Sequence, residues 1–468
     1  MNAVTDSDRT LLLRNALLVA TLDERHPDCH DASVLVRGST IEAVGRASEL
    51  ATHADEVLDC TGSVVIPGMV NTHHHFFQSL TRAVPAGQDA ELFDWLTAHF
   101  PIWRRLTPEM IRVSTQTAMA ELVLSGCTTA ADHLYLYPNG SRLDDSIEAA
   151  QAMGLRFHPT RGSMSVGQSD GGLPPDVLCE READILRDCD RLLDQWHDPA
   201  PGSMLQIALA PCSPFSVSEA LMRDTRDMAR ARGVRLHSHL AENFRDVDYT
   251  RERFGCTPAQ YAERLDWLGS DVWYAHCVKL DAAGIAAFAA TGTGVAHCPS
   301  SNMRLASGIA PIRAMLDAGV PVSIGVDGSA SSDAGHMLAE VRQAFLLARV
   351  GGDPAGLTAR EALACATRGG ARVLGRNDIG VIAPGMAADL AVFDLRRIGY
   401  AGGGHDPLAA LVLCAPDQVR HSVINGRVVV REGALQTVDL ERHLALHREL
   451  AARLMLPAPD NALQGSAR

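Results

Sequence analysis

Short apolar runs broken by turn residues fill the first 67 residues. The runs at 11–21, 32–37, 41–44 and 63–66 predict strands of a small β unit. From Pro67 onward the rhythm changes, and brief apolar strands alternate with segments of helical period, the pattern of βα units around a parallel sheet. Eight such strands are predicted, at 66–72, 128–133, 155–161, 205–211, 234–239, 272–276, 294–298 and 321–327. Between them lie helical stretches such as 108–124, with Thr107 as N-cap and proline at the first helical position, and 311–318. After residue 380 the β character returns at 388–394, 419–424 and 427–430, and an Arg- and Leu-rich helical tail follows near 439–455. The expected fold class is α/β. A (β/α)8 TIM barrel over residues 68–380 is inserted in a small split β-sandwich that residues 1–67 and 381–468 build from both chain ends.

Composition narrows the function. Of 468 residues 46% are hydrophobic and 21% charged, which excludes disorder, collagen-like repeats and coiled coil. The formal charge of −14 disfavours nucleic acid, which wants a basic face, so a small neutral or weakly charged substrate fits better. Among 42 cationic residues Lys279 is the single lysine. With no GxxxxGK[ST] a phosphate-binding P-loop is excluded, and any lysine chemistry has one possible location. The eleven cysteines form no CxxC, which suits reduced thiols. The apolar run at 11–22 is broken by Arg14 and Asn15 and does not read as a signal peptide. No stretch nears the roughly 20 apolar residues of a membrane span, so a cytoplasmic protein with neither membrane nor nucleic-acid partners is expected.

The strand endings carry the chemistry, because barrel active sites sit at the C-terminal ends of the strands. Strand one runs into Asn71-Thr72-His73-His74-His75, strand two into Asp132-His133 and strand three into Arg161. Strand five runs into His237-Ser238-His239-Leu240-Ala241-Glu242, strand six into His276, strand seven into His297 and strand eight into Asp327. Residues two apart on a strand point the same way, so His73 and His75 can share one mouth while His74 faces out. An imidazole from His239 and a carboxylate from Asp327 would complete three nitrogens and one oxygen, a set suited to Zn2+ or Fe2+ with room for a water. A single histidine at a strand end is more often a hydrogen-bonded structural residue; HxH, HxxE and a strand-terminal Asp in this order are not. No GxSxG elbow and no HExxH occurs, which removes the serine-hydrolase and zincin readings.

These residues resemble the amidohydrolase superfamily in its mononuclear deaminase branch. The resemblance lies in Pro67-Gly68-Met69-Val70-Asn71-Thr72-His73-His74-His75, His239-Leu240-Ala241-Glu242, Ala275-His276-Cys277 and Gly325-Val326-Asp327-Gly328. The stretch 380–390 is similar to the strand that returns to the sandwich in those enzymes. The resemblance implies that His73, His75, His239 and Asp327 hold one divalent metal, that Glu242 shuttles protons, and that His276 stands beside the metal water. Binuclear members commonly bridge two metals with a carboxylated lysine at the end of strand four. Residues 205–215 contain none, and Lys279 follows His276 of strand six, where it is expected to be a solvent-facing loop cation. Asp327 would take a proton from the activated water, and Glu242 would protonate a ring nitrogen and help ammonia depart.

Specificity must come from less regular positions. Gln78 lies where related enzymes place a glutamine on the heterocycle edge, Trp95 could stack on a flat ring, and Arg161 could face a ring carbonyl. His133 and His297 are further candidates for the same pocket. The segments around these positions look most like the 8-oxoguanine deaminase group, with isoxanthopterin deaminases and hydroxyatrazine-type s-triazine hydrolases as neighbours. The implied reaction turns 8-oxoguanine into urate and ammonia. The alternatives are deamination of isoxanthopterin, guanine or a related ring, an s-triazine amidohydrolase or chlorohydrolase and, from another class, a non-catalytic metal-binding protein. A homo-oligomer is compatible with the sequence.

Overall fold

The computed structural model describes residues 8–46, 48–50 and 53–456. In chain order the strands are β1 (Thr10–Val19), β2 (Cys29–Arg37), β3 (Thr40–Arg46), β4 (Glu56–Asp59), β5 (Ser63–Pro67), β6 (Met69–Asn71), β7 (Cys127–Leu134), β8 (Arg156–Ser163), β9 (Ala208–Pro211), β10 (Leu236–Leu240), β11 (Val272–His276), β12 (Gly294–His297), β13 (Val322–Ile324), β14 (Leu390–Asp394), β15 (His421–Ile424), β16 (Arg427–Arg431) and β17 (Ala434–Leu435). Strands β6 to β13 form a closed parallel barrel, sealed where Ile324 of β13 pairs with Asn71 of β6. The remaining strands form a sheet ordered β17-β16-β15-β14-β5-β1-β2-β3, with β4 beside β1. Both chain ends therefore contribute to it.

Alternation along two neighbouring strands explains how this sheet seats the barrel. Val65 of β5 with Leu390 and Val392 of β14 joins a core of the sheet's own, shared with Leu13, Val34 and Ile41. The intervening Val64, Ile66, Ala391 and Phe393 turn the other way, into the large core that continues through the barrel helices. The chain crosses from sheet to barrel at Gly68. A Cβ there would stand 2.0 Å from Thr128 Oγ1, so only glycine allows the step. This divides the predicted strand 66–72 into the end of β5 and the whole of β6.

All eight barrel strands lie where the alternation of apolar runs put them, and Thr107 caps the helix Pro108–Leu124 by accepting from the Met110 N–H at 3.3 Å. Two short strands had no sequence expectation. β4 borrows its pairing from β1, and β17 is two residues long. The stretch 380–390 is a strand only from Leu390 onward, because Gly380 and Gly385, at φ +90° and +88°, bend the chain before it. Its Asp389 carboxylate, buried, accepts from Arg156 Nε of β8 at 2.9 Å and from the Asn425 N–H at 2.7 Å, tying barrel to sheet.

Val70, Ala131, Ala208, Trp273 and Ala296 point into the barrel and pack against Ala371, Val373 and Leu374 beneath it. The N-terminal mouth is thus closed, and the C-terminal mouth is the open one. No helix among the described residues is long and apolar enough to cross a membrane.

Candidate metal and active site

Beyond β6 the chain stays extended and sends His73 and His75 inward. Asn71 fastens this segment on both sides, accepting from the Val326 N–H at 2.9 Å and donating to Ala131 O at 3.3 Å. β10 supplies His237 and His239 at two-residue spacing, β11 ends on His276, and Asp327 follows β13. The turns that aim these groups are strained: Ala241 beside Glu242, His276 and Asp327 have φ of +53°, +70° and +61°, conformations that side chains rarely adopt. His74 turns away from the cluster and is buried, its Nδ1 accepting the His75 N–H at 2.8 Å.

His73 Nε2 and His75 Nε2 lie 3.3 and 3.4 Å from Asp327 Oδ1, and His75 Nε2 lies 3.2 Å from His239 Nε2. The far side of each ring decides what these nitrogens can do. His75 Nδ1 reaches His133 O and His239 Nδ1 reaches Cys212 O, each at 2.7 Å. A carbonyl only accepts, so both Nδ1 atoms carry the proton and both Nε2 atoms present lone pairs to one another. His73 Nε2 is buried without any partner. Burial lowers the pKa of all three, that of His239 to about 3, so they are neutral at neutral pH. Burial would raise Asp327, but the imidazoles around it, His276 among them, hold it well below the usual carboxylate range. The Gly328 N–H and Ser331 Oγ also donate to it, at 2.7 and 3.0 Å. Three inward lone pairs and one carboxylate with no proton between them form a donor set that a divalent cation fits, and imidazole with carboxylate suits zinc or ferrous iron.

His276 differs from these rings. Its Nδ1 meets Asn302 Oδ1 at 2.9 Å, while its Nε2 faces Glu242 Oε2 at 3.4 Å and Asp327 Oδ2 at 3.9 Å. Burial would lower its pKa, but the charges of Glu242 and Asp327 overcome this and raise it, favouring an imidazolium that donates from both nitrogens. Burial pushes Glu242 up to about 7 against the pull of His276, and its Oε1 is unpartnered. The buried Asp246 accepts the Glu242 N–H at 3.0 Å and holds its turn.

A cavity of about 510 Å³, its mouth included, opens directly on these groups. His75, His239, Glu242, His276 and Asp327 form its floor, and Leu92, Trp95, Phe100, Tyr135, Met164 and Phe215 supply most of its wall. Gln78 and Trp95 line it, the indole held by a bond to Ala330 O at 3.1 Å. Gln78 fits only because position 328 is glycine, where a Cβ would stand 1.9 Å from Gln78 Oε1.

Three residues expected in the pocket lie elsewhere. Arg161 is buried behind it, bonded to Glu180 at 2.8 Å and Asp188 at 2.9 Å with its guanidinium over the Tyr137 ring, so its donors are already committed. His133 lies beneath the site, stacked on His239 and bonded through Nε2 to Ala210 O at 2.9 Å. His297 is buried and borders a separate recess formed by Ile309–Ala314 neighbours such as Pro311 and Ile312. Lys279 is half-buried, not a free loop cation, with its ammonium 4.1 Å from the centre of the Phe244 ring.

Several other residues have no role assigned by the sequence. Tyr135 stands two positions past His133 and His237 two before His239, so strand alternation could have flagged both. Asn302, Cys212 and Ser331 approach from loops and a helix that carry no such periodicity.

Residues 64–429 match the amidohydrolase family. An 8-oxoguanine deaminase of Pseudomonas aeruginosa is 44% identical over 445 residues, which span 95% of this chain and 98% of that protein. An isoxanthopterin deaminase from an unknown prokaryotic organism is 39% identical over 93% of this chain and 95% of its own. Among solved structures, an atrazine chlorohydrolase of Arthrobacter aurescens TC1 complexed with zinc superposes with a TM-score of 0.90 at 35% identity, covering 94% of this chain and 100% of that one. With its eight-stranded barrel, its histidine cluster at the open mouth and this extent of matching sequence, the chain belongs to the amidohydrolase family.

Proposed function

We propose that this chain is a hydrolytic deaminase of an aminated heterocycle, converting 8-oxoguanine and water into urate and ammonia, with one zinc ion held by His73, His75, His239 and Asp327. The observation that carries this reading is the pairing, in one cavity, of an unprotonated donor set with two groups that hold protons, Glu242 and His276. The substrate class is supported by the deaminases among the relatives, and the choice of ring by the identity to the 8-oxoguanine enzyme.

When bound, the metal supplies Lewis-acid activation of a water. The protein's own groups do the rest. Asp327 is an ionised acceptor at the floor and takes the proton that the attacking water loses. Glu242, with a pKa near 7, carries a proton to the ring nitrogen next to the attacked carbon and then helps move one to the leaving amine. His276, as an imidazolium, donates to the attacking oxygen as charge develops there. Trp95 and Phe215 offer flat faces, and the Gln78 amide and Tyr135 hydroxyl line the same cavity, where they would meet the ring edge.

The test is ammonia release by the metal-replete enzyme from 8-oxoguanine, guanine, isoxanthopterin, cytosine and a hydroxy-s-triazine. We expect 8-oxoguanine to give the highest kcat/KM. No ammonia from it beside strong release from another ring overturns the substrate, and alkylamine or chloride release without ammonia overturns deamination itself.

A further inference from the structure

We propose that His237 is a positioning residue that holds His73 in the one tautomer able to bind the metal. His237 lies one turn of the strand pleat before His239 and its ring is buried beneath the cluster. His237 Nδ1 lies 3.0 Å from Trp273 O, and a carbonyl can only accept, so the proton is on Nδ1 and Nε2 bears a lone pair. His73 Nδ1 lies 2.9 Å from that Nε2. The contact is a hydrogen bond only if His73 carries its proton on Nδ1, which leaves His73 Nε2 as a lone pair pointing into the donor set.

Among the described residues no other donor competes for this acceptor. The nearby His133 ring gives its Nε2 proton to Ala210 O and has no second one in its neutral form. The relay is also closed on itself. Trp273 stacks on His237, with ring centres 4.4 Å apart at 16°, and its indole N–H donates to Thr72 O at 3.1 Å. Thr72 precedes His73, so one circuit through β10 and β11 positions the backbone of the ligand as well as its ring. His75 and His239 have their tautomers set by carbonyls, which cannot vary with sequence. His73 is the ligand whose proton depends on another side chain, and partners of this kind typically change metal affinity about 10–100-fold.

This inference rests on the metal reading above, and the experiment separates the two. Zinc affinity is measured by chelator competition for the wild-type enzyme, H237L and H237Q, with the visible spectrum of each cobalt-substituted form recorded beside it. Gln can offer an amide oxygen near the place of Nε2, whereas Leu offers no acceptor. The expected result is a loss of about tenfold or more in zinc affinity and an altered cobalt spectrum for H237L, with H237Q recovering most of both. Equal losses in the two variants, or no loss in H237L, overturn the proposal. Should H237L fail to fold, neutron diffraction of the wild-type enzyme decides: protons on Nδ1 of both His73 and His237 support it, and a proton on His237 Nε2 overturns it. Two zinc ions per chain, the second on His73, His133 and His237, would also overturn it, because that site needs the His73 Nδ1 proton removed. A wild-type chain that binds no zinc would instead defeat the metal reading first.

Discussion

His75 and His239 face each other across the barrel mouth with their Nε2 atoms 3.2 Å apart, although both have given their only proton to backbone carbonyls on the opposite side. Two lone pairs at that distance repel unless a cation lies between them, so the folded chain presents a site already organised for a metal. Chelation should abolish turnover and lower the melting temperature, and zinc should restore both. At a zinc concentration 1,000 times Kd the gain is about 4 kcal/mol. H239A should lose bound metal and activity together; a metal-free enzyme with undiminished turnover would defeat this reading.

E242Q should retain zinc and fold normally while kcat falls about 10²–10⁴-fold, the usual worth of a positioned general acid or base. Elemental analysis beside a steady-state assay checks both halves. Full activity in this variant would remove Glu242 from the proton path.

The pH profile follows from the same group. Glu242 is needed protonated and its pKa lies near 7, so kcat/KM for the wild-type enzyme should fall as pH rises through about 7. A rate that climbs steadily from pH 6 to 9 would contradict this assignment.

Asp132 gives a stability prediction of opposite origin. Its Oδ1 accepts the Phe76 N–H at 2.7 Å, its Oδ2 has no partner, and burial pushes its pKa up to about 8. The folded chain therefore holds a proton that the unfolded chain releases near its ordinary value. The contribution to stability is complete at low pH and is lost as pH rises from about 4 toward 8. D132N abolishes that titration, so its melting temperature should gain on the wild type by several degrees between pH 5 and 8. Parallel curves would show that Asp132 ionises without penalty.

R161A tests where Arg161 belongs. Removing the buried guanidinium strands Glu180 and Asp188, each about a quarter exposed, and should cost about 3–5 kcal/mol. KM for the substrate, measured well below the lowered melting temperature, should change less than twofold. A large KM increase with unchanged stability would return Arg161 to the pocket.

Much of the site was legible along the chain. HxH after strand one, HxxE after strand five, a histidine ending strand six and an aspartate after strand eight are local patterns. Strand alternation and the rule that barrel strands end at one mouth convert them directly into a shared location. The eight barrel strands were legible for the same reason, because each is a short buried run flanked by helical period. The lone lysine follows strand six, so the sequence offers none at the end of strand four for a lysine-bridged metal pair.

Other features depend on partners distant in sequence. Arg161 and Glu242 are both charged residues near strand ends, yet one is enclosed by Glu180 and Asp188 while the other keeps an unpartnered oxygen in the cavity. His73 and His276 are alike as residues, but one has its proton directed outward by His237 and the other has its pKa raised by the neighbouring Glu242 and Asp327. Gln78 enters the cavity because Gly328, 250 positions later, leaves room for it. The sequence by itself determined which side chains of the histidine cluster reach the mouth, because strand period is a local property of the backbone. Proton positions, pKa shifts and the fate of each donor were decided only by the tertiary structure, because they depend on burial and on which carbonyl or carboxylate lies within about 3 Å.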